Sequence, residues 1–137
     1  QDTVATYYPL DEHGPETYRR AIYHQNARAA RTDVLSDFDC PDPAAATPRR
    51  SATTTPLQAL TLLNHRFTHD MAKMIAERIK RSAGDKPDVQ IQQTFLLIYG
   101  RPPAEMEVKK ITPILKEHGL AIVCLALLNS NELMYLP

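Results

Sequence analysis

Apolar residues follow a helical rhythm from residue 55 onward and show no rhythm before residue 50. The stretch "TPLQALTLLN" begins with Thr55 at an N-cap position, Pro56 at the first helical position and Gln58 three residues after the cap. Proline has no N–H to leave unsatisfied there, and a Thr-x-x-Gln pair can satisfy two of the helix's orphan donors. Leu57, Ala59, Leu60, Leu62 and Leu63 then cover most of the circumference, which predicts a short helix buried on several sides. In "RFTHDMAKMIAERIKRSAG", Phe67, Met71, Ile75 and Ile79 recur every four residues beside Ala72 and Ala76. Lys73, Glu77 and Arg81 occupy another face, and Gly84 ends the pattern. A third helix is predicted in "DVQIQQTFLLIYG", with Ile91, Phe95 and Ile98 on one stripe and Gly100, Pro102 and Pro103 as stops. A fourth begins at "PPAEMEVKKI", where Glu105 and Glu107 complement the helix dipole, and Pro113 is expected to kink or break it. The last is "LAIVCLALLNSNELMYL". Its nine consecutive apolar residues, Leu120–Leu128, fall short of the roughly 20 that a membrane span needs, so they predict a central core helix.

The pattern therefore defines an all-α, bundle-like domain of four to five helices over residues 51–137. Residues 1–50 form a contrasting, proline-rich and irregular N-terminal segment, expected to pack on those helices. Within it, "ETYRRAIYHQNARAAR" leans towards helix on its Ala and Arg content. The predicted core comprises Leu60, Leu63, Phe95, Ile98, Leu125 and Leu128.

Charge narrows the function. Lys plus Arg number 16 and Asp plus Glu number 16, so the net charge is zero. A nucleic-acid or membrane-surface binder wants an excess of base, and neither class fits. Cys40 and Cys124 are the two cysteines, too few for a zinc site, and there is no C-x-x-C-H for covalent haem. Cys40 and Cys124 could form a disulfide, but two thiols among many apolar residues are more often buried and free. No cofactor loop or ligand set is evident, so no cofactor is expected. Gln1 stands where an initiator methionine would, as expected of a fragment or processed product.

Three polar groups are candidate sites. Asp37, Asp39 and Asp42 lie on a proline-bounded turn shortly before Arg49 and Arg50. Carboxylates and guanidinium groups form bidentate pairs, which would staple an irregular segment in place. The sharper reading is a partner or substrate site, in which two carboxylates divide acid and base work on a glycan. His65 and His69 have the i,i+4 spacing that can place two imidazoles on one metal. Arg66 stands where a metalloprotease helix carries its glutamate and no third ligand is evident, so a solvated helix start is the favoured reading. Asn129, Ser130, Asn131 and Glu132 follow the apolar run and are expected to cap it and to lock onto the arginines. Their sharper reading is a docking surface for an upstream domain. "GRPP" reads as a helix stop, not a phosphate cradle.

Three segments together, "FDCPD" with "TPRRSATTTPLQALTLLN", "IYGRPPAEMEV" and "ALLNSNELMYL", occur in an order that resembles the C-terminal domain of unknown function of large secreted planctomycete proteins. The resemblance covers most of residues 19–137. It implies export to a secreted or periplasmic location, and a larger parent protein that often carries a cytochrome-c-like domain and a second uncharacterised domain. It supplies no catalytic residues. The expectation is a non-catalytic structural or interaction module whose partners are the parent's upstream domains. The alternative is part of an enzyme acting on polysaccharides, with an Asp/Arg site completed by an upstream domain.

Overall fold

The computed structural model describes residues 20, 37–41, 48, 49, 53 and 55–134. Among them are six helices and no strand: α1 (Pro56–Asn64), α2 (Arg66–Ala83), α3 (Pro87–Tyr99), α4 (Glu105–His118), α5 (Leu120–Leu128) and α6 (Asn131–Met134). The protein is all-α, as the apolar rhythm predicts. The stretch 16–31 lies outside the described residues except for Arg20, which is exposed. The chain divides into two compact units, residues 1–61 and 62–137.

In the first unit, the door of α1 is held by side-chain hydrogen bonds. The Thr55 hydroxyl accepts the Gln58 N–H at 3.3 Å, and the Gln58 side-chain oxygen accepts the Thr55 N–H at 3.1 Å. This is the reciprocal capping box that the sequence indicates. Gln58 is buried, and its amide N–H₂ also reaches the Thr53 hydroxyl at 3.4 Å. The leucines of α1 behave otherwise. Leu57, Leu60 and Leu63 are exposed, which corrects the expectation that this helix is buried on several sides. Apolar residues scattered round a short helix give it no preferred inward face, so apolar content alone does not fix burial.

The second unit holds the core. Helix α5 packs against α2, α3 and α4, while α3 also contacts α2, α4 and α6. Ala72, Ala76 and Ile79 of α2 meet Ile91 and Phe95 of α3, Leu115 of α4, and Leu120, Val123, Cys124 and Leu125 of α5. The small alanines of α2 suit a close approach of helix axes, whose separation depends on the side chains at the contact. The buried stripe of α2 runs through Thr68, Ala72, Ala76 and Ile79, so Phe67 is turned out to solvent. Of the predicted core, Phe95 and Leu125 are buried, Ile98 and Leu128 are half-buried, and Leu60 and Leu63 are outside it.

Two buried polar side chains of this unit, Gln90 and Thr94, have backbone partners. The Gln90 side-chain N–H₂ donates to the Gly84 carbonyl at 2.5 Å, and the Thr94 hydroxyl donates to the Gln90 carbonyl at 2.7 Å. Pro113 sits inside α4, which continues through it. Of the expected kink or break, the break is absent. Pro113 is exposed, as is Lys109, whose carbonyl loses its helical donor and can be hydrated there. The apolar run and the polar tail behind it are divided at Asn129 and Ser130 into α5 and α6. Among the described residues, no helix is long and apolar enough to cross a membrane.

Candidate functional site: an arginine lock at the end of the bundle

Helix α3 ends at Gly100, whose φ of 72° and ψ of 9° place it in the left-handed region that glycine enters without a Cβ penalty. The chain turns there and presents Arg101, followed by the φ-restricted Pro102 and Pro103. Helix α4 then begins, with Glu107 at its third position. The Glu107 carboxylate reaches back to accept the Ala104 N–H at 2.6 Å. It is half of a capping box, because alanine offers no side-chain acceptor in return.

The guanidinium of Arg101 lies between two carboxylates. Nη1 and Nη2 donate to the two Glu107 oxygens at 2.9 and 2.8 Å. Nε and Nη2 donate to the two Glu132 oxygens at 2.6 and 2.7 Å. The second Nη1 hydrogen is directed to the Pro102 carbonyl at 3.1 Å. A guanidinium has five N–H donors, and these five bonds use all of them. Its central carbon also lies 5.3 Å from the Phe95 ring centroid and 5.6 Å from that of Tyr99, within cation–π range. The two rings meet edge to face, 5.3 Å apart at 80°.

Tyr99 joins the far side of the cluster. Its hydroxyl approaches the Ser130 hydroxyl at 2.7 Å and the Leu127 carbonyl at 3.1 Å. The Asn129 side-chain amide donates to the Leu125 carbonyl at 2.8 Å, and the Ser130 hydroxyl accepts the Leu133 N–H at 3.4 Å. The tail after α5 thus caps the apolar helix, as its polar residues suggest. Glu132 finds its arginine, but that arginine is Arg101. Asn131 is exposed.

Electrostatics follow the bonding. Hydrogen bonds from Arg101, with help from the Ala104 N–H, hold the Glu107 carboxyl at about 2, against an ordinary 4.5. Arg101 also lowers Glu132. The two carboxylates in turn raise Arg101, Glu107 the more strongly. Burial pushes the Tyr99 phenol up, opposed by its bond to Ser130. A carboxyl lowered on folding contributes stability above its unfolded pKa, and that contribution is lost as pH falls through the folded value. The urea midpoint should therefore fall as pH drops from 4.5 towards 2. Arg101→Gln should flatten that dependence, because both acids then return towards their ordinary range. Equal slopes for the two proteins, followed by far-UV circular dichroism, would remove the lock from the account.

The other candidate residues are engaged otherwise. Asp37 accepts the Thr61 hydroxyl at 2.5 Å. Asp39 has a φ of 56° and accepts the Thr53 N–H at 2.6 Å and the Thr53 hydroxyl at 2.8 Å. Threonines thus hold both of these acids. Arg49 is exposed and makes no ion pair among the described residues, and its candidate partner Asp42 and the neighbouring Arg50 lie outside those residues. His65 Nδ1 accepts the Phe67 N–H at 3.1 Å and so caps α2, while His69 Nε2 bonds the Leu63 carbonyl at 2.9 Å. One nitrogen of each imidazole is thus engaged with the backbone, and no cluster of three or more potential metal ligands occurs among the described residues. Both cysteines are free; burial pushes the Cys124 thiol up to about 12, so it stays protonated and unreactive.

Sequence reasoning missed Arg101. The local signal was an arginine between a left-handed glycine and two prolines, with a glutamate at the third position of the next helix. Glu132, 31 residues away, leaves no local trace. The fold and this lock define a small all-helical module whose strongest polar cluster is internally satisfied. The chain belongs to the PSD1 family of proteins of unknown function (DUF1553), whose profile matches residues 2–115. Arg101 and Glu107 fall inside the matched span and Glu132 falls beyond it. No curated protein and no solved structure matches the chain.

Proposed function

We propose that this chain is a non-catalytic structural or interaction module of an exported multidomain protein, of the planctomycete kind that its sequence resembles. Its partners are the upstream domains of that protein. The observation that carries this reading is the saturated guanidinium of Arg101: all five donors are spent on Glu107, Glu132 and Pro102. A site for an anionic substrate needs donors to spare, and this cluster has none. The acids fit the same reading. A general acid needs a pKa raised towards working pH, whereas Glu107 is held at about 2. Asp37 and Asp39 are occupied by Thr61 and Thr53.

The test is turnover. The purified chain, with Asp39→Asn and Glu107→Gln variants, is incubated with a panel of sulfated and uronate-rich polysaccharides, and reducing ends are measured. No release above buffer is expected from any of the three. Release by the wild-type chain that disappears in either variant would replace the module reading with an enzymatic one.

A further inference from the structure

An open groove of about 360 Å³ runs between α2 and α3, lined by Arg78, Ile79, Ser82, Gln93, Leu96 and Leu97. Ile79 is part of the buried core, and its neighbours are not. Leu96 and Leu97 are adjacent, and their exposures are 44% and 41%. Two large apolar side chains left side by side in water on a helix that otherwise supplies the core mark a surface able to gain by being covered.

The polar lining is one-sided. Of the arginines of α2, Arg66 and Arg81 each have a carboxylate within their own helix, at 3.5 Å from Asp70 and 3.7 Å from Glu77. Arg78 has Met74 and Ser82 at its helical i±4 neighbours and makes no ion pair among the described residues. No acid lines the groove. The Ser82 hydroxyl hydrogen is already given to the Ile79 carbonyl at 3.1 Å, which leaves its oxygen as an acceptor. The guanidinium of Arg78 and the side-chain amide of Gln93 therefore supply the donors beside two exposed leucines.

We propose that this groove docks a segment of a partner protein that carries a carboxylate next to a large apolar side chain, with the carboxylate on Arg78 and Gln93 and the apolar group on Leu96 and Leu97. The assignment rests on the module reading and gives its partner a chemistry. Charge complementarity selects an acid, because the groove offers a cation and no anion. The volume lies near the lower end of those that hold organic ligands, so it suits one anchor of a partner segment.

The test is an ¹⁵N–¹H NMR titration of the chain with the peptide acetyl-Leu-Glu-Leu-Leu-amide at millimolar concentration, beside the same peptide with Gln in place of Glu. Amide shifts are expected at Arg78, Ser82, Gln93, Leu96 and Leu97. The acidic peptide should bind about threefold to fivefold more tightly than the neutral one, the size of an exposed ion pair, and added salt should erase the difference. Arg78→Gln should equalise the two peptides, and Leu97→Ser should weaken both while leaving the circular dichroism spectrum unchanged. Absence of shifts, equal binding by the wild-type chain, or shifts confined to another face would overturn the proposal. So would sedimentation showing that the chain dimerises through Leu96 and Leu97, because a second copy would then be the occupant. None of these outcomes bears on polysaccharide turnover, so the groove and the module reading fail separately.

Discussion

Phe95→Ala is expected to cost about 3–5 kcal/mol of stability, the range for truncating a buried aromatic side chain. Phe95 is 1% exposed and lies in the core with Ile91 and the apolar face of α5. It also meets Tyr99 edge to face and stands beneath the Arg101 guanidinium. The substitution opens a cavity and removes part of the platform on which the lock rests. Domains are stable by only about 5–15 kcal/mol, so this single change takes a large share. Urea unfolding followed by circular dichroism suits a chain with no tryptophan. Phe95→Leu should cost less, because it keeps most of the apolar volume while losing the ring. A loss below about 1 kcal/mol for the alanine variant would contradict the placement of this ring.

Leu125→Ala and Leu63→Ala should separate sharply although the chemistry removed is the same. Leu125 is 9% exposed, in the helix that packs on α2, α3 and α4, and its truncation is expected to cost about 2–5 kcal/mol. Leu63 is 48% exposed, and its truncation should stay within about 0.5 kcal/mol. The comparison decides between apolar content and position as the guide to burial. Equal losses would mean that α1 is covered after all, and a small loss at Leu125 would remove α5 from the centre of the bundle.

Elements governed by neighbours in sequence were legible. The capping box at Thr55 and Gln58 is written in four residues, because each partner's donor lies within reach of the other's acceptor. Gly84 and Gly100 end α2 and α3 where the sequence indicates, since a residue with positive φ is needed there. The nine apolar residues of α5 announce a core helix by density alone. Whether Pro113 breaks α4 depends on whether the freed carbonyl meets water, which sequence does not report. The leucines of α1 were misread because a nearly uniform apolar helix has no phase to read. Candidate chemistry is the least legible, because Asp37 and Asp39 accept hydrogen bonds from Thr61 and Thr53, 24 and 14 residues away. Glu132 was recognised as needing an arginine, and its true partner was hidden by the turn after Gly100. Charge pairing over long sequence separations is decided by topology, and here topology carries Arg101 to both acids.

Arg101 lowers both carboxylates, which keeps them ionised at neutral pH and removes them from acid–base work there. The most direct measurement is a carbon-detected NMR titration of the Glu107 side-chain carboxyl in the intact chain. A midpoint near 2 is the result this account predicts, with a rise towards 4.5 in Arg101→Gln. A midpoint above 4.5 in the wild-type chain would contradict it, since the carboxyl would then be free of its guanidinium and available as an acid.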